Sequence, residues 1–277
     1  MEIKEIQEIN FLLLKELRRV CDENNIQYFI DSGTLIGAIR EKDFIPWDDD
    51  ADVVFLRPEF EKLKKLGPSV WGKDFAFRDF DQFGENVYFD TLAHLFYIGD
   101  GPELDNNPLS VVEDSCEKIL NNRVSIDLFI LDGISGIRVA HLFKLFRCCF
   151  YQGLMIGYRS NIKFAQYGVL TKVIIWVLSR IGRTIKLSTL MQRFKTRCMG
   201  SEKSKYVFYS NISMLKPRSR SFLREWWTDG CIDVVFHGEM FRAPRRYHDF
   251  LTYAYGDYMT PPSIDEQAPV HFLKGKD

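Results

Sequence analysis

Four carboxylates stand within five consecutive positions of this chain, at residues 48–52. The segment reads Asp48-Asp49-Asp50-Ala51-Asp52 and is followed directly by an apolar run. Like charges this close repel one another, and a folded domain usually keeps them either in a solvated turn or around a bound divalent cation. An acidic cluster alone favours the solvated turn, so the neighbouring residues decide between the two interpretations.

The apolar run predicts a strand over residues 50–56. In a strand, Asp50 and Asp52 project from the same face, about 7 Å apart. Asp48 is a third candidate for that face, whereas Asp49 points the other way and is predicted to be a turn residue. Carboxylate oxygens are the ligands that hard cations prefer. The spacing therefore predicts a site for Mg²⁺ or Mn²⁺, held by Asp50 and Asp52 with Asp48 as a supporting ligand.

The segment upstream is typical of a phosphate-binding turn. Residues 26–30 predict a short strand, Ser32-Gly33-Thr34 a turn, and residues 35–40 a helix. The N-terminus of a helix after such a turn can bind phosphate, although an ordinary helix cap explains Thr34 equally well. Together with the acidic strand that follows, the arrangement favours a site where the phosphates of a nucleotide meet metal ions.

Two runs of sequence carry a family resemblance: SGTLIGAIR at residues 32–40 and FIPWDDDAD at residues 44–52. They resemble the signature of the LicD family of phosphocholine transferases, which is related to fukutin. Two later runs, VSIDLFILD at 124–132 and YGDYMTPP at 255–262, are similar to further motifs of that family. The resemblance implies an α+β fold of the nucleotidyltransferase type, with a mixed sheet flanked by helices.

The same resemblance implies an activity. An enzyme of this family would transfer phosphocholine, or a similar alcohol phosphate, from a CDP-linked donor such as CDP-choline. The acceptor would be a cell-surface glycan (teichoic acid, lipopolysaccharide or capsule) or its lipid-linked precursor. Two alternatives stay open: a nucleotidyltransferase that releases pyrophosphate, and a non-catalytic module that assembles at a membrane surface.

The resemblance also implies a catalytic set of three carboxylates. Asp127 resembles the third carboxylate that sheets of this fold bring beside the aspartate pair. Asp50, Asp52 and Asp127 would then be the catalytic residues. Asp127 would be either a further metal ligand or the base that takes the proton of the acceptor hydroxyl.

Four residues are candidates for binding the donor. Gly33 and Thr34 would donate hydrogen bonds to its phosphates. Arg40 could contact a phosphate bidentately, but a cation at the end of a helix is also explained by the helix dipole. Trp47 could stack on a base or on a quaternary ammonium group, or pack under the acidic segment and fix its shape.

The cysteines and histidines give no sign of a zinc site. The six cysteines include no CxxC pair, and a reduced, cytoplasmic protein explains them most simply. No two of the five histidines are spaced as metal ligands on a helix. We therefore expect structural or surface roles for them, including His94 in the strand-like run 90–96. The first residues predict an amphipathic helix in place of a signal peptide.

Charge is unevenly distributed along the chain. Residues 133–201 contain twelve lysines and arginines and no Asp or Glu, within a total of 37 basic and 38 acidic residues. Large apolar residues are mixed with these cations at helical spacing. The segment is typical of helices that lie on an anionic membrane surface, but a subdomain packed on the core with a solvated basic face explains it equally well. No motif of a nucleic-acid reader is present.

These observations predict three parts in the 277 residues. Residues 1–132 would be the nucleotidyltransferase-like core, 133–201 a basic helical insert, and 202–277 the C-terminal part of the catalytic domain. Donor and acceptor selectivity would lie in residues 71–122 and in the insert. We expect a cytoplasmic protein, peripheral on the inner face of the membrane if the insert binds lipid.

Overall fold

The computed structural model describes residues 2–83, 86, 88, 90–100, 123–159, 168–211 and 221–269. Within these ranges the protein is α+β, with a mixed sheet flanked by helices, so the predicted fold class is confirmed. Much of the segment expected to govern selectivity, residues 101–122, lies outside the described residues.

The described helices and strands alternate irregularly along the chain. The helices are α1 (Ile3–Glu23), α2 (Ser32–Arg40), α3 (Arg57–Lys65), α4 (Arg138–Met155), α5 (Val169–Gly182), α6 (Leu187–Cys198), α7 (Glu225–Thr228) and α8 (Tyr247–Tyr255). The strands are β1 (Phe29–Ile30), β2 (Asp52–Leu56), β3 (Phe75–Arg78), β4 (Ala93–Tyr97), β5 (Ser125–Ile134), β6 (Tyr206–Tyr209), β7 (Phe222–Leu223), β8 (Cys231–Phe236) and β9 (Glu239–Pro244). Both strands predicted around the acidic run are shorter than expected.

The long strand β5 organises the main sheet. The strand order is β1-β2-β5-β4-β3, and β6 pairs with the C-terminal end of β5 and with β7. The pairing of β2 with β5 is parallel, while the other pairs of this sheet are antiparallel. Strands β8 and β9 form a separate antiparallel pair. β5 thus pairs with β4 at its N-terminal end, with β2 along its middle and with β6 at its C-terminal end.

Helix α1 has the predicted amphipathic character and fixes the acidic run. Its apolar stripe is buried in the main core. From its polar side Gln7 Nε2 donates to the carbonyl of Asp48 at 2.9 Å, and Asn10 Nδ2 donates to the carbonyl of Asp49 at 3.2 Å. Asp49 is fully buried and lies outside any assigned turn. The expectation that Asp49 is a turn residue is therefore wrong, because α1 covers this stretch of backbone.

The described part of the insert consists of α4, α5 and α6. They share a second apolar cluster, which also takes in Ile134 and Phe208 from the sheet. Helices α4 and α5 approach closely, since a Cβ at Gly182 would collide with the carbonyl oxygen of Leu154. No helix in the described ranges combines the length and the apolar character needed to cross a bilayer. The proposed division into three parts stays a prediction.

A buried ion pair ties the segment after β2 to β5. Arg57 Nη2 donates to Asp132 Oδ2 at 2.5 Å, and both side chains are buried. Burial alone would lower the pKa of Arg57, but the charge of Asp132 and the hydrogen bond to it raise that pKa above its ordinary value. The guanidinium is therefore charged and fastens α3 to the strand that carries Asp127.

Breaking this pair should destabilise the fold. We expect Asp132→Ala to lower the free energy of unfolding by about 3 kcal/mol, because it leaves a buried cation without its partner. Equilibrium urea denaturation measures the change. The matched control is Lys62→Ala, which breaks the more exposed pair of Lys62 with Glu59 and should cost less than about 1 kcal/mol. Equal losses in the two variants would contradict the structural role of the buried pair.

Candidate active site

Three neighbouring strands bring the polar residues of the site together. In the parallel pair, Asp52 of β2 stands opposite Asp127 of β5. In the antiparallel pair on the other side of β5, Asp127 stands opposite His94 of β4. Backbone hydrogen bonds continue this pairing beyond the strand end, from the N–H of Asp127 to the carbonyl of Ala51 at 3.0 Å. The sheet register therefore places two carboxylates and an imidazole side by side.

These carboxylates open into a cavity of about 540 Å³. Asp48, Asp50, Asp52 and Asp127 all line it, so the alternation read from the sequence places Asp50 and Asp52 on the same side, although β2 begins only at Asp52. The remaining lining is mostly apolar and aromatic. It consists of Ser32, Gly33, Ile36, Ile45, Trp47, Phe129, Tyr209, Phe222, Phe250, Ala254, Tyr255 and Pro262.

The carboxylates at the cavity place several negative charges close together where water has little access. Burial, followed by the charges of Asp50, Asp127, Asp48 and Asp31, raises the pKa of Asp52 well above its ordinary value. Each carboxylate makes the ionised form of Asp52 more costly. A cation bound among them would reverse that cost.

The donor set suits a hard divalent cation. All four carboxylates at the cavity offer oxygen ligands, which Mg²⁺ and Mn²⁺ prefer. In the described ranges, no three His, Cys, Asp or Glu side chains are already grouped as a metal site. The residues fit such an ion by their chemistry and by the repulsion it would relieve.

His94 forms a buried bridge between two carboxylates. Its Nδ1 lies 3.0 Å from Asp127 Oδ1, and its Nε2 lies 3.2 Å from Asp90 Oδ2. Burial alone would lower the pKa of His94, but the charge of Asp90 and the hydrogen bond and charge of Asp127 outweigh it and raise the pKa to about 10. His94 is therefore a cation at neutral pH, and it fixes the orientation of Asp127.

A second buried pair lies at the wall of the cavity. The hydroxyl of Tyr209 donates to Asp31 Oδ2 at 2.6 Å, directly before the first residue of α2. Burial raises the pKa of Asp31 to about 6, although the hydrogen bond from Tyr209 acts in the opposite direction. The pair connects the start of α2 with β6.

Sequence reasoning missed these buried partners. His94 was expected to have an ordinary structural role, and only the register of β4 on β5 shows that it contacts Asp127. Tyr209 is 178 positions from Asp31 and stands in no motif. A single sequence carries no signal for either contact.

Gly33 and Trp47, predicted to bind the donor, both line the cavity. Helix α2 begins at Ser32, earlier than expected, so Gly33 lies in its first turn. A Cβ at Gly33 would collide with Asp48 Oδ2, and glycine thus allows the acidic segment to approach the helix. Trp47 is half-buried against the core with part of its ring at the cavity, which agrees with both of its predicted roles.

Thr34 and Arg40 are placed elsewhere, which corrects their predicted contacts with phosphate. Thr34 is buried behind the cavity, where its Oγ1 accepts a hydrogen bond from the N–H of Asp52 at 2.9 Å. Arg40 closes α2, where its Nη1 donates to the carbonyl of Tyr258 at 3.1 Å and its Nε donates to Glu41. Neither side chain lines the cavity.

Comparison with known proteins agrees with this geometry. The nucleotidyltransferase-domain model of the LicD/FKTN/FKRP family matches residues 25–95. The chain is 26% identical over 284 residues to the lipopolysaccharide cholinephosphotransferase LicD of Haemophilus influenzae, an alignment that takes in 98% of this chain and 96% of that protein. The chain is thus similar over nearly its full length to a LicD protein, and residues 25–95 match the nucleotidyltransferase-domain model of that family.

Two rickettsial proteins are similar to shorter parts of this chain. An uncharacterized protein of Rickettsia prowazekii is 32% identical over 85 residues, which is 31% of this chain and 28% of that protein. One of Rickettsia typhi is 46% identical over 58 residues, or 21% of this chain and 19% of that protein. The LicD domain match includes the acidic run and His94 but ends before Asp127, so the site extends beyond it.

The hydrogen bond from the N–H of Asp52 to Thr34 Oγ1 should contribute more to stability than the size of the Thr34 side chain. We expect Thr34→Val to lower the free energy of unfolding by about 1 to 3 kcal/mol, because it leaves the buried N–H of Asp52 without an acceptor. Thr34→Ser keeps the oxygen and should lose about 0.8 kcal/mol for the missing methyl group. Chemical denaturation compares the two. If valine is tolerated as well as serine, Thr34 does not hold Asp52 in the way described.

Proposed function

We propose that this protein is a metal-dependent phosphotransferase that moves phosphocholine from CDP-choline to lipopolysaccharide, to a related cell-surface glycan, or to a lipid-linked precursor of either. The observation that carries the proposal is the meeting of Asp50, Asp52 and Asp127 in one cavity. Its support is the relationship to a Haemophilus influenzae protein named as a lipopolysaccharide cholinephosphotransferase. The proposed place of action is the cytoplasm, at the inner face of the membrane.

Asp50 and Asp52, supported by Asp48, would hold Mg²⁺ or Mn²⁺. The ion would supply charge neutralisation at the diphosphate of the donor, which is the main demand of phosphoryl transfer. The three carboxylates need little movement of the backbone to do so, since α1 and Thr34 hold the segment from behind. Gly33 allows the carboxylate of Asp48 to lie against the start of α2, since a Cβ at this position would collide with Asp48 Oδ2.

Asp127 is the best candidate for the proton acceptor. Its Oδ1 faces the His94 cation at 3.0 Å, which orients the carboxylate and leaves Oδ2 for a substrate or a metal ion. The oxygen of the acceptor hydroxyl would form a bond to the phosphorus that carries choline while its proton passes to Asp127. The bond from that phosphorus to CMP would break, and CMP would leave with the bonding electrons.

Aromatic rings at the cavity favour choline as the transferred alcohol. The ring centroids of Tyr209 and Phe222 lie 5.4 Å apart, and those of Phe222 and Phe250 lie 5.6 Å apart. Trp47 and Tyr255 add further aromatic surface. Aromatic faces attract quaternary ammonium groups, and the nearby carboxylates add charge of the complementary sign.

The first test is the identity of the released product. Purified protein incubated with CDP-choline, Mg²⁺ and lipopolysaccharide should release CMP, as measured by chromatography, and label the glycan with choline. Asp52→Asn should lose at least about a hundredfold in rate while keeping its circular dichroism spectrum. The matched control is Asp233→Asn, at an exposed position of β8. Pyrophosphate released from CTP would instead support nucleotidyl transfer, and full activity of Asp52→Asn would contradict the site.

The second test uses the pH dependence of metal binding. A raised carboxyl pKa stabilises the metal-free fold at low pH, and that contribution is lost as the pH rises through the raised pKa of Asp52. Protons also compete with the cation for the same oxygens. We therefore expect Mg²⁺ to raise the melting temperature, and to raise it more as the pH increases above the ordinary carboxyl range of about 4.

This metal effect should depend on Asp52 and not on surface charge. Thermal-shift measurements across pH should show that Asp52→Asn loses the Mg²⁺-dependent increase, whereas Asp233→Asn keeps it. A stabilisation by Mg²⁺ that is independent of pH, or that persists in Asp52→Asn, would place the ion elsewhere.

A further inference from the structure

Helix α4 exposes a continuous apolar stripe. Phe143 and Phe146 are 60% and 66% exposed, and Val139, Leu142 and Phe150 are exposed on the same side. The spacing between these positions corresponds to one face of an α-helix. The opposite face is buried, with Cys148 and Met155 in the second apolar cluster. The helix is therefore packed on the protein through its other face, and only the stripe is left in solvent.

Helix α5 repeats the pattern. Val169 is 81% exposed and Trp176 is 53% exposed, with Leu170, Val173, Ile174, Val177 and Ile181 also exposed. Ile175 and Ser179 face inward. Soluble monomers rarely leave so many large apolar side chains in solvent without a binding partner.

The two helices form one firm unit. A Cβ at Gly153 would meet the side chain of Leu178, and one at Gly157 would collide with the carbonyl oxygen of Ser179. Arg183 Nε also donates to the carbonyl of Gly157 at 2.6 Å. Since the pair is held by close backbone packing, the two apolar stripes, here called the α4–α5 face, belong to one rigid unit.

The charged side chains of α4 and α5 themselves are all cationic. No Asp or Glu occurs between Gly133 and Ser201 in the sequence. The guanidinium of Arg147 lies 5.4 Å from the ring centroid of Phe143, and that of Arg180 lies 5.8 Å from Trp176. Arg138 is exposed at the start of α4. Apolar side chains flanked by lysine and arginine match the boundary between acyl chains and anionic head groups.

We infer that the α4–α5 face docks the protein on an anionic phospholipid bilayer, with its aromatic and aliphatic side chains entering the head-group region. A second copy of the chain is the less favoured occupant, because pairing this face with itself would bring like positive charges together. The binding of the α4–α5 face to lipid does not depend on the proposed function. Only the further step, that the enzyme meets a lipid-linked acceptor at this surface, rests on it.

The test is co-sedimentation of the full chain with vesicles. The protein should bind vesicles of phosphatidylcholine and phosphatidylglycerol at low salt, bind vesicles of phosphatidylcholine alone at least about tenfold more weakly, and be released by high salt. Two variants should each lower the affinity at least about tenfold. One combines Phe143→Gln, Phe146→Gln and Val173→Gln, and the other combines Arg138→Glu and Arg180→Glu.

The matched control variants carry the same kinds of substitution at exposed positions outside the insert. Leu12→Gln with Met240→Gln alters exposed apolar residues outside the insert, and Lys4→Glu with Lys73→Glu alters exposed cations outside it. Both should bind vesicles like the parent protein. Release of CMP in a detergent-solubilised assay should be unchanged in the α4–α5 variants, which separates a failure of docking from a failure of the proposed activity.

A fluorescence measurement on the parent protein tests the same contact without relying on the multiple variants, which could fail to fold. Brominated lipid should quench part of the tryptophan fluorescence, and Trp176→Phe should remove that quenching while leaving binding within a few-fold. Equal affinity for neutral vesicles, no binding to either kind, or a stable dimer that buries Trp176 in the absence of lipid would each overturn the inference.

Discussion

The parallel pairing of β2 with β5 sets the main constraint on this structure, because it places Asp52 directly beside Asp127 in a buried position. Two carboxylates so arranged repel each other, and Asp48 and Asp50 increase the effect on the pKa of Asp52. The fold accepts this cost by holding the backbone rigidly from several sides. Gln7 and Asn10 bind the acidic segment from α1, and Thr34 accepts the N–H of Asp52. Charge repulsion of this kind would be relieved by a bound cation, which is the physical basis of the proposed metal site.

The two strands on either side of Asp127 have opposite electrostatic effects on it. On one side Asp52 adds negative charge, and on the other His94 adds a buried positive charge that is itself stabilised by Asp90. Asp127 lies between them and experiences both. This asymmetry gives chemically identical aspartates different surroundings, as the proposed division between metal ligands and a proton acceptor requires.

The sequence predicted most of what local pattern can determine. The period of two placed Asp50 and Asp52 on one side, and the stripe of α1 predicted its buried face. The pairing of strands that are distant in sequence could not be predicted, because a single sequence does not show which strand lies beside which. The contact of His94 with Asp127 and that of Tyr209 with Asp31 both depend on register. Thr34 and Arg40 were assigned to phosphate because their residue types permit it, whereas the fold uses them to hold backbone groups.

The cavity draws its walls from both ends of the chain. Ser32 and Pro262 both line it, and Arg40 of α2 binds the carbonyl of Tyr258 in the last motif. During synthesis the acidic segment leaves the ribosome long before the aromatic lining residues Phe222, Phe250 and Tyr255, so the cavity cannot form until the chain through Pro262 has emerged. Formation of the cavity is thereby coupled to synthesis of this late segment, and a product truncated before Phe222 would carry the carboxylates without the aromatic residues that enclose them.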